Sequence, residues 1–369
     1  MPTTFTGQLN PNEIFGAIYN MIISQDVFAD NIKGTYSTLL DKARVDGSLY
    51  GDSKLYYATD VLKSVEWGAD EEASNLLALH RPADPEVQIL TINKFRQISL
   101  TVDNYLTKRA WSTEYAFSQF NDVMKGWIYE TKKIYESTLY NSTLGTTETS
   151  VGRQSLSIPP VEGQNDALTM AEYLATLLVD MKDVSRDFND YEFLRSYDEK
   201  DLMVVWNAKH YNTLKKIDMP VIFHTEGLLN EFDQEVLPAR YFGTVIGDSG
   251  LSATVGIGSN ETYRTLVEGD FTGTDGVTRH LFPGDKIPEG ATYIQNEAYR
   301  EDDTIAFKLI HKRSLPIMSA FEVGTSFFNP KSLTENHYLT WGYNDLDYLA
   351  NYPFITARFE EPKVEEPQA

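Results

Sequence analysis

The period of apolar and polar positions changes several times along the chain, and each change predicts an element. Ile14, Phe15, Ile18, Met21 and Ile22 recur at the spacing of one helical face. Asn10 can cap that helix, Pro11 suits its first position, and Glu13 completes a capping-box spacing. A weaker helical stretch covers residues 36–43, and Gly47 and Gly51 break it. Residues 55–67 and 87–102 alternate instead, with Gln88, Thr91, Asn93, Arg96 and Ser99 among apolar neighbours, which predicts two strands. The acidic stretch 68–85 joins them into a long hairpin. Neither strand carries enough apolar surface to fold alone, so the hairpin needs a partner surface.

The strongest helical pattern follows. Ser112 can cap it, Glu114 suits its positive end, and Phe117, Phe120, Met124, Trp127, Thr131 and Ile134 form a stripe. Running to Tyr140, it would span on the order of 40 Å at about 1.5 Å per residue. Residues 141–152, rich in Ser and Thr, read as a loop. The aromatic stripe reads as core packed on the late strands. Thr169 and Glu172 form a second capping box, ahead of a stripe of Leu174, Leu177, Leu178, Met181 and Val184.

A strand at 202–206, a helix at 208–214 and a strand at 219–223 give an alternating α/β pattern. Residues 243–290 hold ten of the 23 glycines, so loops and hairpins are expected there. Strands are predicted at 304–310, 315–323, 337–342 and 352–359, and the tail from 360 is expected to be disordered. No repeat of solenoid or propeller period is present.

Composition narrows the function. With 369 residues, 41% hydrophobic and 12% aromatic, the chain can bury a core despite its acidity. It has no cysteine, which excludes disulfides, thiolate catalysis and sulfur-ligated metals. The first ten residues lack the pattern of a signal peptide, and no apolar run approaches the roughly 20 residues of a membrane span. The net charge of −22 repels polyphosphate, and no basic stripe offsets it. Direct nucleic-acid binding is not expected. An acidic wall suits a container for DNA, and it equally keeps an abundant protein soluble.

Candidate chemistry is sparse. The histidines are His80, His210, His224, His280, His311 and His337, and no two have the spacing of a helical zinc pair. They read as surface or packing residues. Gly247-Asp248-Ser249-Gly250 matches part of a serine-protease nucleophile loop, but Leu251 follows where those enzymes have glycine, so a turn is the reading. Gly256-Ile257-Gly258 lacks the third glycine of a dinucleotide loop, and the acidic turns 270–276 and 301–303 lack calcium-loop spacing. No catalytic, cofactor or metal residue is assigned.

An N-terminal arm, a long two-stranded extension, a long helix, an α/β middle and late strands come in the order of the Hong Kong 97-like capsid fold. The stretches Asn93-Lys-Phe-Arg-Gln-Ile-Ser-Leu, Arg195-Ser-Tyr-Asp-Glu-Lys-Asp-Leu-Met-Val-Val and Pro353-Phe-Ile-Thr-Ala-Arg-Phe resemble major capsid proteins of small short-tailed, podovirus-like bacteriophages. The likeness covers residues 14–360. It implies an α+β fold with an arm at 1–47, an extended loop at 48–104 and a peripheral domain with its spine helix at 105–160. An axial α/β domain would follow at 161–303, then peripheral strands at 304–345, the last axial strand at 346–360 and a disordered tail at 361–369.

The resemblance further implies a protein without enzymatic activity or cofactor, which self-assembles into pentamers and hexamers of an icosahedral or prolate head around double-stranded DNA. It would assemble in the host cytoplasm and reside in the virion, with no membrane partner. Scaffolding and portal proteins are implied partners, with decoration or head fibre proteins as further ones. Some members cross-link through a Lys, an Asn and a Glu, and no such set matches here, so no covalent lock is expected. Some precursors carry a long scaffolding segment ahead of the arm, and only about ten residues precede the first helical pattern, so a separate scaffolding protein is expected. Two other readings are an encapsulin-like nanocompartment shell, which gene context would separate, and a serine hydrolase using Ser249, which Ser249→Ala would test.

Overall fold

The structure is a computed structural model that describes residues 38–46, 53–64, 81–103, 114–149, 153–159, 164–216, 233–247, 252–254 and 262–359. Its helices are α1 (Thr38–Ala43), α2 (Glu114–Thr146), α3 (Gln164–Lys182) and α4 (Ala208–Lys216). The first strands are β1 (Arg44–Asp46), β2 (Ser53–Ala58), β3 (Glu86–Asp103), β4 (Ser155–Ile158), β5 (Leu202–Asn207) and β6 (Asp233–Leu237). Short strands follow: β7 (Gly243–Val245), β8 (Ser252–Thr254), β9 (Tyr263–Thr265), β10 (Gly269–Thr272), β11 (Thr278–Leu281), β12 (Thr292–Ile294) and β13 (Ala298–Glu301). The last four are β14 (Ile305–His311), β15 (Ile317–Asn329), β16 (Thr334–Asn344) and β17 (Phe354–Phe359).

One five-stranded sheet has the order β4-β17-β14-β5-β6. Every residue of β5 and β14 is buried, as expected of strands covered on both faces. One face carries the Leu174, Leu177, Leu178 and Met181 stripe of α3, packed on Trp206, Phe307 and Ile355. The other face carries Leu39 and Leu40 of α1 with Tyr140 and Leu144 of α2, packed on Met203, Val205 and Phe354. The other five-stranded sheet has the order β1-β15-β16-β3-β2. Ile128 and Tyr135 of α2 pack there on Leu339, Trp341 and Tyr343. Helix α2 therefore serves both cores, the 128–139 stretch packing on this sheet and its last two turns on the first.

Several expectations change. Helix α2 runs to Thr146 rather than stopping at Tyr140. The Thr138, Thr143 and Thr146 hydroxyls donate to the Ile134, Leu139 and Ser142 carbonyls one turn back, which satisfies them inside the helix. Tyr140 and Leu144 then bury apolar surface that a loop would have left exposed. The stripe facing the late strands includes Ile128 and Tyr135, each one residue past the predicted Trp127 and Ile134. Helix α3 starts at Gln164, so the Thr169–Glu172 pair lies within it, and it ends before Val184, whose amide donates to the Asp183 carboxylate.

Strand β2 stops at Ala58, short of the predicted Trp67, because Thr59 and Asp60 are engaged by the 185–195 loop. The 48–104 segment is not wholly an extension, since β3 pairs with β16 from Ile92 to Asp103. Residues 305–311, grouped by sequence with the later strands, pair instead with β5 and β17. The arm assigned to 1–47 ends in α1 and β1, which belong to the folded body. The predicted helix at 14–22, the strand at 219–223, most of the 68–85 link and the tail lie outside the described residues.

Candidate assembly surfaces

Strands β2 and β3 pair antiparallel, with Leu55 opposite Ile89 and Tyr57 opposite Val87. Alternation puts these four side chains on one face. They are 49%, 56%, 66% and 44% exposed, respectively, and so form an apolar patch facing solvent. The opposite face turns inward, where Leu90 and Ile92 pack with Met318 and Leu349, with Tyr56 at the margin.

Polar contacts fix the hairpin to the body. Gln88 donates to the Tyr348 carbonyl at 2.8 Å and accepts from the Ala350 amide at 3.0 Å. Arg195 donates to the Thr59 carbonyl at 2.6 Å, and Arg186 to the Asp60 carboxylate at 2.8 Å. The Leu194 amide, then Arg186, hold the Asp60 carboxyl down at about 2. The patch is therefore presented on an anchored ribbon.

A second network joins the N-terminal segment to the long helix. Arg44 reaches Glu136 at 2.9 Å, and Lys132 contacts both Glu136 at 3.5 Å and Glu322 of β15 at 2.5 Å. Glu136 is buried, so losing either cation would leave its charge poorly compensated. At the other end of α2, buried Lys308 donates to the Thr147 carbonyl at 2.6 Å, and burial pushes its ammonium down to about 7. Sequence reading missed this group, although a lysine inside Ile-Ala-Phe-Lys-Leu-Ile was a visible signal.

Several of the residues weighed for chemistry make contacts within the fold. Asp275 closes the β10–β11 turn by binding Arg279, which holds its carboxyl low. Glu301 pairs with Arg264, and Asp303 with Lys209. His311 stacks on Tyr352 at 4.2 Å, and burial lowers it to about 4. His280 lies between Asp270 and Glu268, which raise it, while His210 contacts the Asp303 carbonyl and is lowered by burial. Among the described residues no three His, Asp or Glu side chains converge as a metal site would need. Ser249, Gly256, His80 and His224 lie outside the described residues.

A mostly sheet α+β body, a long helix shared by two cores and an anchored ribbon with an apolar outer face describe a phage capsid subunit. The chain belongs to the Phi29-like phage major capsid protein family, whose profile matches residues 4–344. Its place is thus structural, in the capsid of a bacteriophage virion. The fold is similar to a chain in the capsid structure of Staphylococcus phage Andhra, with TM-score 0.57 and 10% identity over 89% of this chain and 84% of that one. A chain in the structure of the head fiber and inner core protein of native bacteriophage P68 gives 0.54 and 10%, covering 86% and 83%. A chain of the cyanophage P-SCSP1u capsid gives 0.50 and 9%, covering 98% and 93%. No curated protein sequence matches the chain. Among the described residues no helix is long and apolar enough to cross a membrane.

Proposed function

We propose that this chain assembles through pentamers and hexamers into the closed head that encloses the phage's double-stranded DNA, with the β2–β3 hairpin lying over a neighbouring subunit. The exposed face of Leu55, Tyr57, Val87 and Ile89 carries the reading. A monomer that holds four large apolar groups in water on an anchored ribbon gains when another subunit covers them, at about 25 cal/mol per Å² of apolar surface. In Hong Kong 97-like terms, the sheet of β15, β16 and β3 with α2 is the peripheral domain, and the β4–β6, β14 and β17 sheet is the axial domain. A scaffolding protein during assembly, a portal, and decoration or head fibre proteins are the partners of this reading. Assembly takes place in the host cytoplasm. The acidic chain, at net charge −22, forms a wall that does not hold phosphate tightly.

Expression of the full chain with its scaffolding protein, followed by sedimentation and electron microscopy, tests this. Closed particles are expected. A chain that stays monomeric at high concentration with scaffolding protein present would overturn the reading.

A further inference from the structure

Among the described residues, the outer edge of β15 has a stretch with no strand paired to it. Strand β1 covers only Ile317, Met318 and Ser319, while β16 pairs with the other side of β15 as far as Asn329. Among the described residues nothing pairs with the outer edge of residues 322–329. Residues 322–328 are exposed, with Val323 at 47%, Phe327 at 64% and Phe328 at 49%. A long, exposed, apolar strand edge is a template for another strand.

Its sequence says which strand. Gly324, Ser326 and Phe328 share the face turned toward α2, because Gly324 lies opposite Leu339, which packs on Ile128. A Cβ added at Gly324 would meet nothing within 4 Å, and a pocket of about 220 Å³ opens there, bounded by Ile128, Tyr129, His337 and Leu339. An exposed phenylalanine thus lies four residues along the same face from an unfilled glycine gap. A two-fold axis normal to the sheet at Ser326 sets Phe328 of each copy opposite Gly324 of the other and Phe327 opposite Thr325. An aromatic ring laid over a cross-strand glycine is a known way to cover an edge glycine. Between Val323 and Asn329 this register opposes no two charged residues.

We propose that β15 pairs antiparallel with β15 of a second copy about a dyad at Ser326, each Phe328 filling the other copy's Gly324 gap. The contact joins the two copies' five-stranded sheets edge to edge, at the end where β15, β16 and β3 lie side by side. Seven or eight residues of ladder bury far less than the roughly 1,600 Å² of a standard stable interface, so this contact acts in concert with others. The inference rests on the sheet edge and is independent of the pentamer and hexamer reading.

The chain has no cysteine, so Ser326→Cys introduces a single thiol. Directly opposed residues of an antiparallel pair sit about 4.5–5.5 Å apart at Cα, inside the disulfide window. In the full-length protein, oxidised by glutathione disulfide, S326C is expected to give a covalent dimer at least about tenfold faster than Thr176→Cys on the exposed face of α3, and adding Phe328→Ala should remove most of that advantage. Dimer formation by S326C no faster than by T176C overturns the proposal, whether the edge is empty or covered by the chain's own residues. Equal cross-linking with and without Phe328→Ala overturns the aromatic–glycine register. Equal melting temperatures of the variants establish that folding is not the cause. Normal particles from a protein that fails to cross-link would leave the assembly reading standing.

Discussion

The Lys308 ammonium lies 2.6 Å from the carbonyl oxygen of Thr147, just past the last residue of α2. The contact satisfies one of the acceptors a helix leaves open at its C-terminus. It does so at full burial, which disfavours the charged form.

This gives a pH dependence with a definite sign. The unfolded chain holds the lysine proton up to about pH 10, and the folded chain only to about 7. Between those values unfolding takes up a proton, so this group makes stability rise with pH, and its penalty is complete below about pH 7. Lys308→Met keeps most of the volume and removes the titration. The melting temperature of Lys308→Met minus that of the unaltered protein should fall between pH 6 and pH 10. A constant difference would refute the burial argument.

Gly145 sits where α2 meets the 239–241 turn, and a Cβ there would collide with the Tyr241 carbonyl. Gly145→Ala should therefore destabilise the protein by about 1–3 kcal/mol although alanine is the better helix former. Denaturant unfolding measures it. A more stable variant would mean the helix and the turn do not approach closely in solution.

The hairpin face separates assembly from stability. Leu55→Thr with Ile89→Thr keeps strand propensity and alters only exposed positions, so the melting temperature of the unassembled protein should move by no more than about 2 °C. Particle yield by sedimentation should fall severalfold. Unaltered yield would show that the patch is not covered in the head.

Truncation locates the boundary of the arm. Removing residues 1–47 takes away Leu39, Leu40 and strand β1, and should cost about 2–5 kcal/mol for each buried leucine lost. Removing only residues 1–37 keeps these groups. Equal melting temperatures for the two truncations would show that α1 contributes nothing to the core.

Elements whose side chains face one environment were legible in the sequence. The α3 stripe and the apolar runs of β5 and β14 lie close to their predicted places because burial alone specifies them. What failed to show was pairing. Nothing local says that β14 joins β5 rather than β16, since seven buried residues in succession fit the centre of any covered sheet. The last turn of α2 was hidden because its threonines bond to their own helix, which composition cannot reveal. The proposed assembly face was half visible: alternation in β2 and β3 identified a ribbon, but only the paired strands show that its apolar residues point outward.

The pairing of β3 with β16 has a consequence for synthesis. Gln97 meets Thr340 across a separation of 243 residues, so this sheet cannot close until most of the chain has left the ribosome. Until then the ribbon has its β2–β3 ladder but not the body that anchors it, because Gln88 is held by Tyr348 and Ala350 and β3 has no β16 beside residues 92–103. In the proposed assembly, a subunit therefore docks through this anchored ribbon only once its chain is nearly complete.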